Sequence, residues 1–428
     1  MSFTDTNLSR RTFFTQSAKL ATAPLLLGSL FSSLNANTKE GLKVPSWSRS
    51  LGTLVNTNAY GLPSIYEKNV VKDILMPKAP TNYTPTSIAL TSAVSPLSSL
   101  RGAITPNGLF FERHHSGVPQ INPTEHKLLI HGLVQSDLVF TMEQLKSFPS
   151  TEKTYFIECS GNTGISKSYT KEQKLDDRFG LISCATWVGV KLSTLLKEAG
   201  IRLDKAKYII AEGADGATMA RSVPISRAME DCLIVYAQNG EALRPEQGYP
   251  LRLVVPGCEG NINIKWLRRL EVTDTPLFTR DEMSKYTDLL SNGKARQGTL
   301  VMDVKSVITY PTTVDKLSRE GFYEIRGLAW SGKGKISRVD ISLDGGVNWS
   351  RAKLSTTPLD RAFVAFTYEL EYRGESLMLL SRATDETGET QPYLKQITDV
   401  RGFNSESHNN AIQAWSVNTQ GEVYNARV

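Results

Sequence analysis

The stretch "TYFIECSGNTG", residues 154–164, sets the reading of the fold. Tyr155, Phe156 and Ile157 make an apolar run of strand length that stops abruptly at Cys159. Ser160, Gly161 and Asn162 follow, all small turn formers. A buried strand ending in a tight polar turn is a place where backbone can approach a bulky ligand. Read alone, Cys159 leaves two options open. It is a small buried apolar residue, or a thiolate for a metal that prefers sulfur.

Around that strand the pattern mixes helix and sheet. "EHKLLIHGLV" (125–134) reads as a strand turning at Gly132, and "FTMEQLKSF" (140–148) as a short helix capped by Thr141. "LSTLLKEAGI" (192–201) puts Leu192, Leu195, Leu196 and Ala199 on one helical face, closed by Gly200. "GYPLRLVVPG" (248–257) is a further strand. After about residue 300 the helical pattern gives way to short strands with turn signals between them. Val339, Ile341 and Leu343 alternate with Arg338, Asp340 and Ser342, and Asp344-Gly345-Gly346 then turns a hairpin. The expected class is α+β, a mixed α and β domain over 105–299 followed by an immunoglobulin-like β-sandwich over 300–405. Residues 37–104, rich in Ser, Thr, Pro and Asn, read as an extended arm wrapping a domain or as a partly disordered segment, and 406–428 as a patternless tail or an arm that packs on a partner.

The 428 residues carry a formal net charge of +6, of which the first 36 supply +2 through Arg10, Arg11 and Lys19 against Asp5. This mild excess suits an anionic ligand, and no long basic run marks a nucleic-acid binder. The four cysteines form no Cys-x-x-Cys pair, so neither a disulfide scaffold nor an attached c-type haem is expected. Residues 1–36 resemble a twin-arginine signal peptide, Ser9-Arg10-Arg11-Thr12-Phe13 ahead of a short apolar stretch. The expectation is periplasmic export of a folded, cofactor-bearing protein. The alternative is a tail with a chance arginine pair. No other stretch is apolar enough to span a bilayer.

Two further stretches offer anion chemistry. "GLFFERHHSGVP" (108–119) sets Arg113, His114 and His115 behind two phenylalanines. Arginine offers a planar fork to an oxyanion, whereas adjacent histidines point apart and make a poor zinc site. In "EQGYPLRLVVPGCEGNINIKWLRRLEV" (246–272) a strand bearing Arg252 leads through Gly257 and Gly260 to Lys265 and Trp266. Glycine turns with nearby cations bind phosphates; a hairpin with a solvated basic end fits too. Neither a Gly-x-Gly-x-x-Gly fingerprint nor a Gly-x-Ser-x-Gly elbow is present.

In this order and spacing, "FFERHH", "ECSGN" and "GYPLRLVVPGCEGNINIKWLRR" resemble the sulfite oxidase family of molybdenum enzymes. "GLAWSGKGKISRVDISLDGGVNW" looks like that family's dimerisation domain. Within the family, "QNGEALRPEQGYPLR" and "SKYTDLLSNGKARQ" look like the sulfane dehydrogenase branch of periplasmic sulfur oxidation. The resemblance implies a molybdenum–molybdopterin cofactor with Cys159 as the metal's thiolate ligand. It implies cofactor contacts from Phe110, Phe111, Glu112, Arg113, His114, Asp215, Gln247, Arg252, Asn263, Ile264 and Lys265. Gln247 stands where relatives often carry histidine. Near the metal it implies Arg113, His115, Tyr286 (or Ser284 in its place) and Arg361. Sulfite oxidases follow Asn162's equivalent with arginine, but this chain has Thr163-Gly164. That departure favours a substrate larger than sulfite, namely sulfane sulfur on a cysteine of a carrier protein. Electrons would pass to a separate cytochrome c subunit, and the sandwich would form a homodimer within a heterotetramer. Rivals are a sulfite dehydrogenase, a reductase working in the opposite direction, and a non-catalytic subunit that binds the sulfur carrier.

Overall fold

In the computed structural model, residues 60–75, 91–164, 169–279, 282–283, 286–290, 292–297, 299–402 and 407–428 are described. The signal-peptide reading of residues 1–36 lies outside them, as does Ser284. Residues 65–428 pack as one unit, and Tyr60–Ser64 belong to a separate one. Among the described residues no helix is long and apolar enough to cross a membrane.

The strand Thr151–Glu158 is antiparallel to Ile182–Lys191, which pairs with Leu233–Gln238, which in turn pairs with Arg252–Val254. A second five-stranded sheet runs Leu138–Thr141, Lys127–Gly132, Leu267–Thr273, Tyr208–Gly213 and Ala220–Pro224. Its Lys127–Gly132 and Leu267–Thr273 strands are parallel. The helix Leu192–Glu198 buries Leu192, Leu195 and Leu196 in a core shared with that sheet. Each such leucine contributes roughly 1.5–3 kcal/mol. The helix Met142–Ser147 starts at Thr141 in a capping box with Gln144, as its sequence predicts.

From Lys305 onward two sheets face each other. One orders Lys305–Tyr310, Gly321–Trp330, Val364–Tyr372 and Lys353–Leu354; the other orders Ser350–Arg351, Ile336–Ser342, Leu377–Asp385, Ala414–Val417 and Val423–Ala426. The expected alternation holds less well than the sequence predicts: Asp340 and Ser342 are buried along with Val339 and Ile341. Arg338 bridges to Asp340 at 3.0 Å, and Ser342 bonds to Asp344 at 2.8 Å, so polar partners let that face close.

Two expectations are corrected. The arm over 37–104 does not run to its end as an arm: Thr91–Val94 pairs with Glu112–His114, and Val94 and Leu97 are fully buried. The patternless tail over 406–428 is instead two strands of the sandwich, with Trp415 fully buried. Its buried face carries Gln413 and Asn425, bonded to each other at 3.2 Å, which hides the alternation. The sandwich core also continues into the first part through Phe156, Phe179, Ile182 and Cys184. The strand that ends at Cys159 is therefore packed from both sides.

Candidate active site

Cys159 begins the turn that follows Glu158. Its N–H donates to the Leu181 carbonyl at 2.9 Å, and its own carbonyl accepts the Asn162 N–H at 2.9 Å. Asn162 Nδ2 donates to Glu158 Oε1 at 2.9 Å, which pins the turn to the strand end. The loop 258–264 passes directly over it. A side chain at Gly260 would lie 2.9 Å from the Glu158 carbonyl and 3.3 Å from the Cys159 Cα, so this approach requires glycine.

Cys159 opens into a cavity of about 720 Å³, open mouth included. Its walls bring together nearly all the residues singled out from the sequence: Phe110, Phe111, Arg113, His114, His115, Asp215, Gln247, Arg252, Asn263, Ile264, Lys265 and Tyr286. Ile157, Met219 and Asn261 join them without a sequence signal of their own.

One end of the cavity holds buried cations whose hydrogen bonds go to carbonyl oxygens. Arg252 is 3% exposed; its Nη1 donates to the Gln247 carbonyl at 3.0 Å and its Nη2 to the Asn263 carbonyl at 3.3 Å. Its Nε is buried with no partner, and its guanidinium lies 5.1 Å from the Trp187 ring centre. Lys265 Nζ donates to the carbonyls of Arg113 (3.2 Å) and Glu246 (3.1 Å). Burial first, then the charge of Arg252, holds the Lys265 ammonium well below its ordinary range; burial also lowers Arg252. His114 accepts at Nδ1 from Thr91 (3.0 Å) and donates from Nε2 to the Glu246 carbonyl (3.1 Å). Burial and then Lys265 lower it from 6.5 to about 3, so this ring stays neutral. Asn261 Oδ1 is a further buried atom with no partner. Such a cradle fits an anionic group with donors and acceptors of its own, as a phosphorylated pterin has. Among the described residues no three His, Cys, Asp or Glu side chains cluster as metal ligands.

Two expected site residues lie elsewhere. Arg361 is held by Asp231 and, at 3.4 Å, by Glu230, while its carbonyl accepts the Phe156 N–H at 3.0 Å. These acids at the end of the helix Ile225–Glu230 capture the guanidinium on the far side of the strand, outside the cavity lining. Glu112 is paired with Lys72 and is also outside the lining. Thr163 faces away as well. Its Oγ1 accepts from Lys305 Nζ at 2.8 Å, and Lys305 also bridges to Glu158 at 2.8 Å. Gln247 fills its position by donating to the Phe111 carbonyl at 3.0 Å, so it supports the wall.

A second layer escaped the sequence reading. Arg221, 1% exposed, bonds Glu259 at 2.8 Å and Glu282 at 3.3 Å, and its guanidinium lies 4.5 Å from the Tyr286 ring centre. His408 bonds Glu259 at 3.2 Å and, through its N–H, the Ser160 carbonyl at 2.9 Å. Burial alone would raise the Glu259 carboxyl, but His408 and Arg221 outweigh it and hold it below its usual range. Nothing local in "ATMARSVP" or "SESHNN" marks these residues; only the fold brings them together.

Known proteins resemble this chain in sequence and fold. Residues 115–280 match the oxidoreductase molybdopterin binding domain, and residues 296–414 match the Mo-co oxidoreductase dimerisation domain. Mitochondrial sulfite oxidase of Mus musculus is 34% identical over 271 residues, covering 59% of this chain and 50% of that protein. Sulfite oxidase of Gallus gallus is 32% identical over 324 residues, 70% of each chain. This chain thus spans about half the length of the mammalian relatives. A chain in the crystal structure of the sulfane dehydrogenase SoxCD from Paracoccus pantotrophus superposes with a TM-score of 0.84 at 42% identity, covering 90% of this chain and 98% of that one. With Cys159 in its turn and the cationic cradle beside it, the chain belongs to the sulfite oxidase family of molybdopterin-binding oxidoreductases.

Proposed function

We propose that this protein is a molybdopterin-dependent dehydrogenase acting on sulfane sulfur carried by a cysteine of another protein. The observation that carries the reading is the convergence of Cys159, Arg113, His115 and Tyr286 on one cavity that also holds the buried Arg252 and Lys265, hydrogen-bonded to backbone carbonyls. The likeness to a sulfane dehydrogenase over 98% of that chain favours sulfane sulfur over sulfite.

Cys159 would supply the thiolate to molybdenum. Arg252, Asn263, Ile264 and Lys265 would hold the phosphate and pterin, and Asp215 would accept a pterin hydrogen bond. When bound, the cofactor supplies two-electron oxygen transfer: a water oxygen goes to sulfur, and two electrons and two protons leave. Arg113 and His115 orient the anionic sulfur terminus and offset its growing charge. Tyr286 offers a hydroxyl, and Phe110, Phe111, Ile157 and Met219 exclude bulk water from the cavity walls. Electrons leave to a separate cytochrome c subunit. The sandwich supports a homodimer, giving a heterotetramer with two such subunits, and the twin-arginine segment supports a periplasmic address.

Metal and pterin analysis, with turnover measured on carrier-bound persulfide and on free sulfite, tests this. Molybdenum with turnover of the persulfide is expected. Absence of molybdenum in correctly exported protein would sink the reading. The second reading is a sulfite dehydrogenase, favoured by 34% identity to sulfite oxidases. Fast sulfite turnover without persulfide activity would establish it instead.

A further inference from the structure

We propose that the cleft between the loop at Tyr169 and the last strand is a second anion site, built for a small tetrahedral oxyanion such as sulfate or thiosulfate and separate from the cofactor cavity. Arg178 ends the helix Leu175–Phe179 and is only 9% exposed. Among the described residues its buried Nε and Nη1 have no hydrogen-bond partner, and neither has the buried Tyr169 hydroxyl. The guanidinium carbons of Arg178 and Arg427 lie 5.7 and 4.4 Å from the centre of the Tyr169 ring. Two cations and a phenolic donor thus converge on a cleft of about 360 Å³, mouth included. Thr163, Asn409, Gln413 and Val428 also line it, and among the described residues no Asp or Glu side chain does.

Arg178 is short of acceptors at two of its nitrogens among the described residues. Among the described residues Arg221 and Lys305 meet carboxylates, whereas Arg178 keeps two buried donor nitrogens without a hydrogen-bond partner. Burial, and then the charge of Arg427, lower its pKa, a penalty that an anion in the cleft would reverse. A tetrahedral oxyanion presents several acceptor oxygens to a guanidinium fork and a hydroxyl at once. Arg427 is exposed and stands at the mouth. The frame is rigid: Asn425 Nδ2 donates to the carbonyls of Thr170 (3.1 Å) and Gln173 (2.9 Å), and Asn425 N–H donates to Lys171 (2.8 Å). Thr163 carries the cleft to within four residues of Cys159, on the side opposite the cofactor cavity. The site does not depend on which sulfur compound the enzyme oxidises.

The test is calorimetric titration of the full, cofactor-loaded protein with sodium sulfate, against sodium chloride at equal ionic strength. Saturable binding of one sulfate per chain is expected. It should weaken by about 10-fold or more in Arg178→Met, through the lost charged hydrogen bonds. It should weaken less in Arg427→Gln, and be unchanged in Arg113→Met. No saturable binding, or binding lost in Arg113→Met and kept in Arg178→Met, overturns the proposal. Tyr169→Phe and Arg427→Gln keep the test open should Arg178→Met fail to fold. Selenate soaked into crystals gives an independent readout by anomalous scattering. A peak between Arg178 and Arg427 supports the site, and peaks only elsewhere refute it.

Discussion

Buried cations lie on both sides of Cys159, and the two sides neutralise them differently. Behind the turn, Lys305 meets Glu158 at 2.8 Å, and Arg221 meets Glu259 and Glu282 at 2.8 and 3.3 Å. In front, Arg252 and Lys265 meet only carbonyl oxygens. Burying a charge costs several kcal/mol unless a partner offsets it. The rear cations are offset within the chain, and Lys305 ties the first strand of the sandwich to the strand that carries Cys159. The front cations are left short of an ion-paired partner by folding, which is what the proposed anionic ligand would supply. Equal burial thus serves stability in one place and ligand capture in the other.

The sharpest way to break this contrast is at Cys159 itself. Cys159→Ser should abolish turnover and strip most molybdenum while leaving the circular dichroism spectrum and apo-protein melting point nearly unchanged. A large loss of fold would show that the cysteine is packing rather than a ligand. Next, Lys305→Met should destabilise the protein by about 3–5 kcal/mol in urea unfolding, since Glu158 is left buried and unpaired. Lys305→Met with Glu158→Gln should recover most of that loss; no recovery would mean that the pair is not the source. Arg252→Met should do the reverse. Apo stability should hold or rise, while cofactor affinity falls about 10–100-fold, measured as pterin retained on dialysis. Equal losses of apo stability in Arg252→Met and Lys305→Met would erase the distinction between front and rear.

A smaller effect belongs to His114, whose pKa is lowered from 6.5 to about 3 by burial and Lys265. Below pH 6.5 the unfolded chain binds a proton that the folded chain refuses. Stability should therefore fall as pH drops from 6.5 toward 3, by roughly 1.4 kcal/mol per pH unit from this group. His114→Gln should flatten that limb in urea unfolding at pH 6.5 and 5, and an unchanged slope would assign it to another group. The smallest change expected is in Arg221→Lys. It keeps the ion pair with Glu259 but weakens the stacking on Tyr286, so kcat should fall a few-fold at constant molybdenum content. Loss of molybdenum instead would place Arg221 in the support of the cofactor.

Much of the front was legible in the chain because its residues sit in short, contiguous stretches. Cys159, Arg113 and the run Asn263–Lys265 each follow a strand or turn that local pattern locates, and the fold brings them to one cavity. Arg361 and Glu112 misled for one reason: a charged side chain goes to its nearest opposite charge, here Asp231 and Lys72, and sequence does not show which that is. Arg221 and His408 were invisible because their partners are 38 and 149 residues away.

By itself, then, the sequence determined the α+β class, the order of its two parts, the cysteine turn and the basic segments of the cavity, since strand alternation, caps and turns are local. Only the tertiary structure decided that residues 407–428 complete the sandwich and that Thr163 turns its back on the cavity. It also decided which buried cations keep carboxylates and which do not. Those outcomes depend on contacts between distant parts of the chain, where burial and pairing are settled together.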